Sequence, residues 1–119
     1  MTIREFREFR ERMNERILGA GNLDLKRFFA LDARVYDDGA LPTRTKELLG
    51  LVASLVLRCD DCITYHLTRC IEEGLSDQEI LETCSIGLVV GGSIVIPHLR
   101  RAIATLDELR TDQDPGPTP

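Results

Sequence analysis

The sequence predicts an all-α domain of five or six helices. Apolar side chains recur three and four residues apart along most of the chain, and polar–apolar alternation typical of strands is missing. Two capping boxes, Thr2–Glu5 and Ser76–Glu79, mark helix starts. At 119 residues the chain is long enough for one domain, which we expect over residues 1–110. Residues 111–119, with three prolines and two aspartates, are predicted to form a disordered tail.

The first predicted helix starts after Thr2, ends at about Leu18 and is followed by Gly19-Ala20-Gly21. Its apolar residues keep helical spacing; they are Ile3, Phe6, Phe9, Met13 and Ile17. A shorter second helix begins at Asn22 or Asp24 and ends near Tyr36. These segments predict two amphipathic helices in the first third of the chain.

Four further helices are predicted between Leu41 and Leu109. Thr43 is a plausible N-cap for the third, and the fourth starts at Cys59 and ends at Gly74. The fifth starts at Ser76 and ends at Gly91-Gly92. The last starts at about Ile94 or Pro97. The Gly91-Gly92 break either separates two helices or lets the backbone approach a pocket closely.

Charge and hydropathy exclude several classes of protein. A net charge of −5 and an isoelectric point near 5.0 argue against binding to nucleic acid or anionic membranes, both of which need a basic face. The charged segment Met1–Glu5 does not resemble a signal peptide, and the longest apolar stretch, 86–96, is too short to span a bilayer. We therefore expect a cytoplasmic protein, whose four cysteines are more typical of catalysis or metal binding than of structural disulfides.

The segment Cys59-x-x-Cys62-x-x-x-His66 carries the reactive residues. On a helix these three side chains fall within an arc of roughly 60°. Two thiols at this spacing can close a disulfide, and a histidine one turn later can exchange a proton. Glu47, with eleven residues between it and Cys59, is a candidate to orient the imidazole. The pattern predicts a redox-active dithiol.

The residues alone also predict how the two thiols differ. Cys59 lies at a helix N-terminus, where the helix dipole stabilises a thiolate, although Asp60 and Asp61 oppose this effect. Cys62 and His66 share a helix face with apolar neighbours, so we expect both to be partly buried.

Two other interpretations of these side chains stay open: a non-redox oligomeric protein that binds a metal at this cluster, and a pair of cysteines that is an inert part of the core. Cys59, Cys62, His66 and Glu47 can together supply four zinc ligands, but a structural zinc site usually brings a second short-spaced motif, which the sequence lacks. We therefore expect no bound metal.

The remaining histidine and cysteines are predicted to be structural. We expect His98 to be a hydrogen-bonded core or interface residue rather than a ligand. Cys70 lies about 12 Å along the helix from Cys62, too far for a disulfide. We expect Cys70 and Cys84 to behave as small buried apolar residues.

Glu47 followed by the Cys59-x-x-Cys62-x-x-x-His66 segment resembles the alkyl hydroperoxidase D motif of the carboxymuconolactone decarboxylase-like superfamily. The resemblance covers roughly residues 41–109 and includes a Leu-Pro turn, a Gly-Leu-Ser-x-x-Glu-Ile segment and a Gly-Gly break. It implies an alkyl hydroperoxidase D-like helical bundle that forms homo-oligomers, trimers or hexamers.

The resemblance also implies an activity. Cys62 would attack a hydroperoxide, Cys59 would resolve the sulfenic acid into a disulfide, and His66 with Glu47 would relay protons. No bound cofactor is implied, because a lipoyl group or a thioredoxin-like protein would restore the dithiol. A decarboxylase-type lyase using Glu47 and His66 as acid and base is the alternative within the superfamily, although its decarboxylases act without the cysteine pair.

Overall fold

The computed structural model describes residues 2–113, which form α-helices and one 3₁₀ turn, with no strand in that range. The helices are α1 (Ile3–Leu18), α2 (Leu23–Val35), α3 (Thr43–Leu57), α4 (Asp60–Glu72), α5 (Asp77–Gly91) and α6 (Ile96–Gln113); the 3₁₀ turn is Ser93–Val95. The prediction of an all-α fold is confirmed. The helices group into two compact units, one ending at Asp37 and one beginning at Asp38. That residues 1–110 form one domain stays a prediction.

The first unit contains α1 and α2. The Thr2 hydroxyl accepts a hydrogen bond from the Glu5 N–H, and the Asn22 side chain accepts one from the Leu25 N–H, each at 3.1 Å. Both helices therefore begin where their capping residues indicate. Large apolar side chains of α2 are exposed: Leu23, Leu25, Phe28, Leu31 and Val35.

The second unit contains the motif and most of the buried apolar residues. Here α3 packs against α4 and α5, and α4 packs against α6. Gly87 permits a close approach of α5 to α3, because a Cβ there would lie 2.9 Å from Leu55 Cδ2. The core consists of side chains from all four helices and the turns between them: Leu51, Leu55, Ile63, Leu67, Leu75, Ile80, Val95, Leu106 and Leu109.

One predicted helix cap is wrong. Pro42, not Thr43, is the N-cap of α3, and Thr43 is its first helical residue. The Thr43 N–H donates to Asp38 Oδ1 at 2.7 Å, and this hydrogen bond lowers the pKa of Asp38. An acidic side chain from the preceding turn thus replaces the cap predicted at Thr43.

The predicted disordered tail begins too early. Residues 111–113 continue α6, and the Thr111 hydroxyl donates to the Asp107 carbonyl oxygen at 3.0 Å. Residues 114–119 of that prediction lie outside the described part of the chain. Between residues 2 and 113, no helix is both long and apolar enough to cross a membrane.

Candidate active site

The two motif cysteines meet at the start of α4. Arg58, the C-cap of α3, adopts a left-handed conformation with φ of 61°, which ends α3 and lets the chain enter α4 at once. Cys59 is the N-cap of α4, and its sulfur accepts a hydrogen bond from the Cys62 N–H at 3.3 Å. The two cysteines form a disulfide with a Cα–Cα distance of 5.2 Å. The predicted N-terminal position of Cys59 is confirmed.

The exposure of Cys62 differs from the prediction. Cys62 is exposed and Cys59 is half-buried, whereas His66 is buried as expected. Cys62 lies in the first turn of α4, before the part of the helix that enters the core at Ile63 and Leu67. Its position at the helix end therefore outweighs the burial predicted from the apolar pattern.

Behind the cysteines, α3 and α4 bring Glu47 and His66 together. Glu47 Oε1 lies 2.8 Å from His66 Nδ1, and the Glu47 side chain is only 1% exposed. Because a carboxylate oxygen accepts hydrogen bonds, Nδ1 is the donor in this pair. The predicted association of Glu47 with His66 is present in the fold.

Arg69 also belongs to this cluster and was not predicted from the sequence. Arg69 Nε donates to Glu47 Oε2 at 3.3 Å, and its other nitrogens pair with Glu72 and Glu73. Burial acts to lower the pKa of Arg69, but the hydrogen bond with Glu72 and the charges of Glu72 and Glu47 outweigh it and raise that pKa. Arg69 lies three residues after His66 on α4, and this spacing alone predicts that the two side chains share a helix face.

The charge of Glu47 is therefore compensated inside the protein. A carboxylate removed from water is stable only when it is paired and hydrogen-bonded, and Glu47 has one partner on each oxygen. Within residues 2–113, every buried side-chain nitrogen or oxygen has a hydrogen-bond partner. Glu47 can thus hold the imidazole in one orientation.

The other two cysteines are buried and free of disulfides, as predicted. Burial, with the nearby Glu47 and Cys84, raises the pKa of the Cys70 thiol to about 12, from an ordinary value of 9.0. Burial likewise raises the pKa of Cys84. Both thiols are therefore neutral and poorly reactive at neutral pH.

The remaining candidates have structural surroundings. His98 is half-buried and hydrogen-bonded to Asp60, which agrees with the expectation of a partnered histidine. Gly91 ends α5, and a Cβ there would lie 2.5 Å from Val95 Cγ2, so its lack of a side chain serves internal packing. No group of three or more His, Cys, Asp or Glu side chains in the described residues has a geometry suited to a metal ion. The zinc alternative gains no support from this arrangement.

Comparison with protein families identifies the chain. Residues 25–105 match the model of the carboxymuconolactone decarboxylase family. The chain belongs to this family. The matched residues include the whole of the Cys59–Cys62, His66 and Glu47 site, and they confirm the resemblance predicted from the motif.

Solved structures of the family support the same fold. Two crystal structures from Thermotoga maritima share 61% and 60% identity with this chain. The first aligns over 94% of this chain and 98% of the other with a TM-score of 0.91; the second, over 96% and 97% with 0.90. One is described as a family member with a suggested part in an antioxidative response. An apo family protein from Legionella pneumophila is 26% identical, with a TM-score of 0.66 over 88% of this chain and 87% of that one.

Sequence relatives give no activity by name. An uncharacterised protein of the cox locus of Paracoccus denitrificans is 33% identical over 69% of this chain and 74% of its own length. An uncharacterised protein of Cupriavidus necator is 28% identical over 60% of this chain, and the match spans 64% of its own length. These relatives support the family and leave the reaction to be inferred from the site.

Proposed function

We propose that this protein is a thiol-dependent oxidoreductase that reduces organic hydroperoxides through the Cys59–Cys62 pair. One observation carries the proposal: an exposed cysteine, able to form a disulfide with its neighbour, lies one turn from a buried histidine held by a buried carboxylate. The antioxidative role suggested for the Thermotoga maritima protein, which is 60% identical, points to the same chemistry.

The reaction begins with Cys62 as the attacking thiolate, the role that the resemblance implies and that its exposure supports. His66 takes the thiol proton, and the sulfur attacks the terminal peroxide oxygen as the O–O bond breaks. The leaving alkoxide takes a proton to become an alcohol, and Cys62 becomes a sulfenic acid. Glu47 orients the imidazole and stabilises the imidazolium that forms.

Cys59 then completes the oxidation. Its thiolate attacks the sulfenic sulfur, water leaves, and the disulfide seen in the structure results. The N–H of Cys62 donates to the Cys59 sulfur and favours a thiolate there. One hydroperoxide and two thiols thus give one alcohol, one water and one disulfide. An external dithiol, a lipoyl group or a thioredoxin-like protein, restores the pair by exchange, so the chain itself needs no bound cofactor.

The assignment of the two cysteines is tested by trapping the sulfenic acid. Cys59→Ser and Cys62→Ser proteins are treated with near-stoichiometric cumene hydroperoxide and dimedone, and the adduct is mapped by peptide mass. We expect the adduct on Cys62 in the Cys59→Ser protein and no adduct at Cys59 in the Cys62→Ser protein. The reverse pattern would exchange the two roles, and no adduct or disulfide in any form would reject the peroxidase.

A lyase is the second candidate, because the Glu47–His66 pair is complete without either sulfur. An acid–base pair of this kind is sufficient for proton transfer next to a carbonyl. Decarboxylation of a carboxymuconolactone by a Cys59→Ser/Cys62→Ser protein, lost on His66→Ala, would establish it. If the Cys59→Ser/Cys62→Ser protein lost decarboxylase activity as completely as peroxidase activity, the lyase would be rejected and the dithiol reaction would remain.

We also propose that the protein is a cytoplasmic homo-oligomer, a trimer or hexamer, without a nucleic-acid or membrane partner. The net charge of −5 supports the last part. Exposed apolar side chains on α5 support the oligomer, since Ile86, Val89 and Val90 are 59%, 84% and 69% exposed. Light scattering after size exclusion measures the number of subunits, and Val89→Glu is expected to reduce it. A monomeric wild-type protein would reject this proposal.

A further inference from the structure

A second carboxylate–histidine pair lies beside the cysteines and has no part in the mechanism above. Asp60 is the first residue of α4 and directly follows Cys59. Its Oδ1 lies 2.8 Å from His98 Nδ1, and its Oδ2 accepts from Arg101 Nη1 at 3.4 Å. His98 and Arg101 both belong to α6, which packs against α4. We call these three residues the Asp60 cluster.

The Asp60 cluster repeats the pattern of the Glu47 site. In each, one carboxylate oxygen pairs with a histidine Nδ1 and the other with an arginine. The surroundings differ, because the Asp60 side chain is 44% exposed and that of Glu47 is 1% exposed. The buried pair lies behind the cysteines, and the partly exposed pair adjoins Cys59 at the helix end.

The charge of Asp60 matters because of its position. A bare carboxylate next to Cys59 opposes the formation of a thiolate there, against the helix dipole and the N–H that donates to the sulfur. His98 forms a hydrogen bond with the carboxylate, and the charge of Arg101 offsets that of Asp60. Since thiolate stability governs how easily a disulfide is reduced, these two residues influence the equilibrium between disulfide and dithiol.

We propose that His98 and Arg101 act through Asp60 to set the reduction potential of the Cys59–Cys62 pair, as positioning residues rather than catalytic ones. The inference rests on the proposed dithiol function. It assigns to the α6 residues a control over the cysteines that neither the family motif nor the sequence spacing contains. It also accounts for one of the two aspartates between the motif cysteines, whose charge would otherwise oppose a thiolate at Cys59.

The test measures the exchange equilibrium with glutathione at pH 7. Two glutathione thiols supply two electrons; the protein S–S bond breaks and the glutathione S–S bond forms. One proton passes to the Cys62 thiol, and the other passes to Cys59 or, where Cys59 is a thiolate, to the solvent. Acid quenching, alkylation and peptide mass give the reduced fraction of Cys59 and Cys62. This readout needs no peroxide and no turnover, so it is independent of which peroxide the protein reduces.

Three variants have expected shifts of known sign. His98→Leu and Arg101→Gln each remove a partner of the Asp60 carboxylate. Each is expected to lower the equilibrium constant for reduction of the disulfide by about threefold to fivefold. Fivefold corresponds to a potential lower by about 20 mV. Asp60→Asn removes the opposing charge and favours the dithiol by a similar factor. A merely structural tie between α4 and α6 would not give opposite signs for the two ends of one contact.

Two controls isolate the cluster. Arg100→Gln removes an exposed charge from the neighbouring position of α6 and is expected to leave the equilibrium unchanged. In the Asp60→Asn background, His98→Leu is expected to have no further effect, because its action passes through Asp60. Arg101 is 63% exposed, so Arg101→Gln tests the proposal even if His98→Leu fails to fold.

The outcomes separate this inference from the proposed function. The inference would be overturned if the equilibrium constants of Arg101→Gln and Asp60→Asn both lay within a factor of 1.5 of the wild-type value, which is about the measurement error. The proposed dithiol function would survive that result, provided that the disulfide forms reversibly. An undiminished His98→Leu effect in the Asp60→Asn background would also overturn it, since His98 would then act directly. Failure of the wild type to form a reversible Cys59–Cys62 disulfide would overturn both.

Discussion

The protein carries two pairs of cysteines in opposite surroundings. Cys59 and Cys62 occupy the N-terminus of α4, where Cys62 is exposed and the two sulfurs are joined. Cys70 lies further along the same helix and Cys84 lies on α5, both fully inside the core. One helix therefore bears a disulfide-forming cysteine pair at its start and a buried thiol near its end.

The difference leads us to expect that position along the helix, and not residue type, decides thiol chemistry here. At the start of α4, the Cys62 N–H points toward the Cys59 sulfur, where it and the helix dipole favour negative charge. In the core, desolvation penalises the thiolate, and the nearby Glu47 adds to that penalty at Cys70. The carboxylate that pairs with His66 thus adds to the effect of burial, which raises the pKa of Cys70.

Alkylation of the reduced protein should show the largest contrast. At pH 7, a pKa of about 12 in place of 9.0 lowers the thiolate fraction of Cys70 by about a thousandfold. We expect iodoacetamide to label Cys59 and Cys62 at least a thousandfold faster than Cys70, as measured by peptide mass. In denaturant, all four cysteines should react at similar rates. Equal rates in the folded protein would show that the core opens freely and would remove the contrast.

Glu47 pairs with His66 near the motif cysteines and also lies near the buried Cys70. Its substitution should therefore affect both the stability of the protein and the rate of disulfide formation. In Glu47→Gln, Arg69 loses a buried partner but keeps Glu72, and we expect a stability loss of about 2–3 kcal/mol by urea unfolding. Peroxide-dependent disulfide formation should slow by about a hundredfold, because the amide cannot stabilise the imidazolium of His66.

Glu72→Gln is the matched control for Glu47→Gln. It removes the exposed partner of Arg69 and leaves the buried one in place. We expect less than about 1 kcal/mol of destabilisation and an unchanged rate of disulfide formation. If disulfide formation slowed by the same factor in both variants, Arg69 and not the buried carboxylate would orient the histidine.

The buried thiols also predict a pH dependence of stability. The folded-state pKa of Cys70 is raised, so the thiol stays protonated in the folded protein while the unfolded chain ionises above pH 9. Stability from this group is therefore complete below pH 9 and is lost between pH 9 and about 12, by up to about 1.4 kcal/mol per pH unit. Cys84 acts in the same direction.

Unfolding by urea at pH 8, 9 and 10 measures this loss. A Cys59→Ser/Cys62→Ser background prevents disulfide exchange, and Cys70→Ala in that background should show a shallower decline above pH 9. Parallel slopes in the two proteins would mean that Cys70 ionises equally in the folded and unfolded states. The absolute stability of Cys70→Ala is irrelevant, since only the slopes are compared.

Much of the site could be predicted because its residues follow local rules. Cys59, Cys62 and His66 share one helix, and helical spacing alone places them near one another. Glu47 was predicted from the motif, and the packing of α3 against α4 places it beside His66. Apolar spacing and capping residues likewise predicted the helices, with errors of a few residues at their ends.

The features that escaped prediction depend on contacts between distant parts of the chain or on position within a helix. Asp60 meets His98 only because α6 packs on α4, 38 residues later, which spacing cannot reveal. Cys62 was expected to be partly buried from its apolar neighbours, but the first turn of α4 precedes the core. The helical end of α6 at residues 111–113 was hidden by the proline-rich composition that follows.

Arg58 offers the smallest and most local test of the contrast. Its left-handed backbone, with φ of 61°, turns the chain from α3 into the exposed cysteine pair and has no counterpart at Cys70 or Cys84. Glycine relieves the Cβ strain of this conformation but gains entropy in the unfolded chain, so Arg58→Gly should raise stability by about 0.5 kcal/mol. Arg58→Ala keeps the Cβ and should not. Both variants lose the same charge beside Cys59, so iodoacetamide should label Cys59 at equal rates in the two. A rate difference between them would show that the backbone turn itself, and not the charge beside it, tunes the exposed thiol.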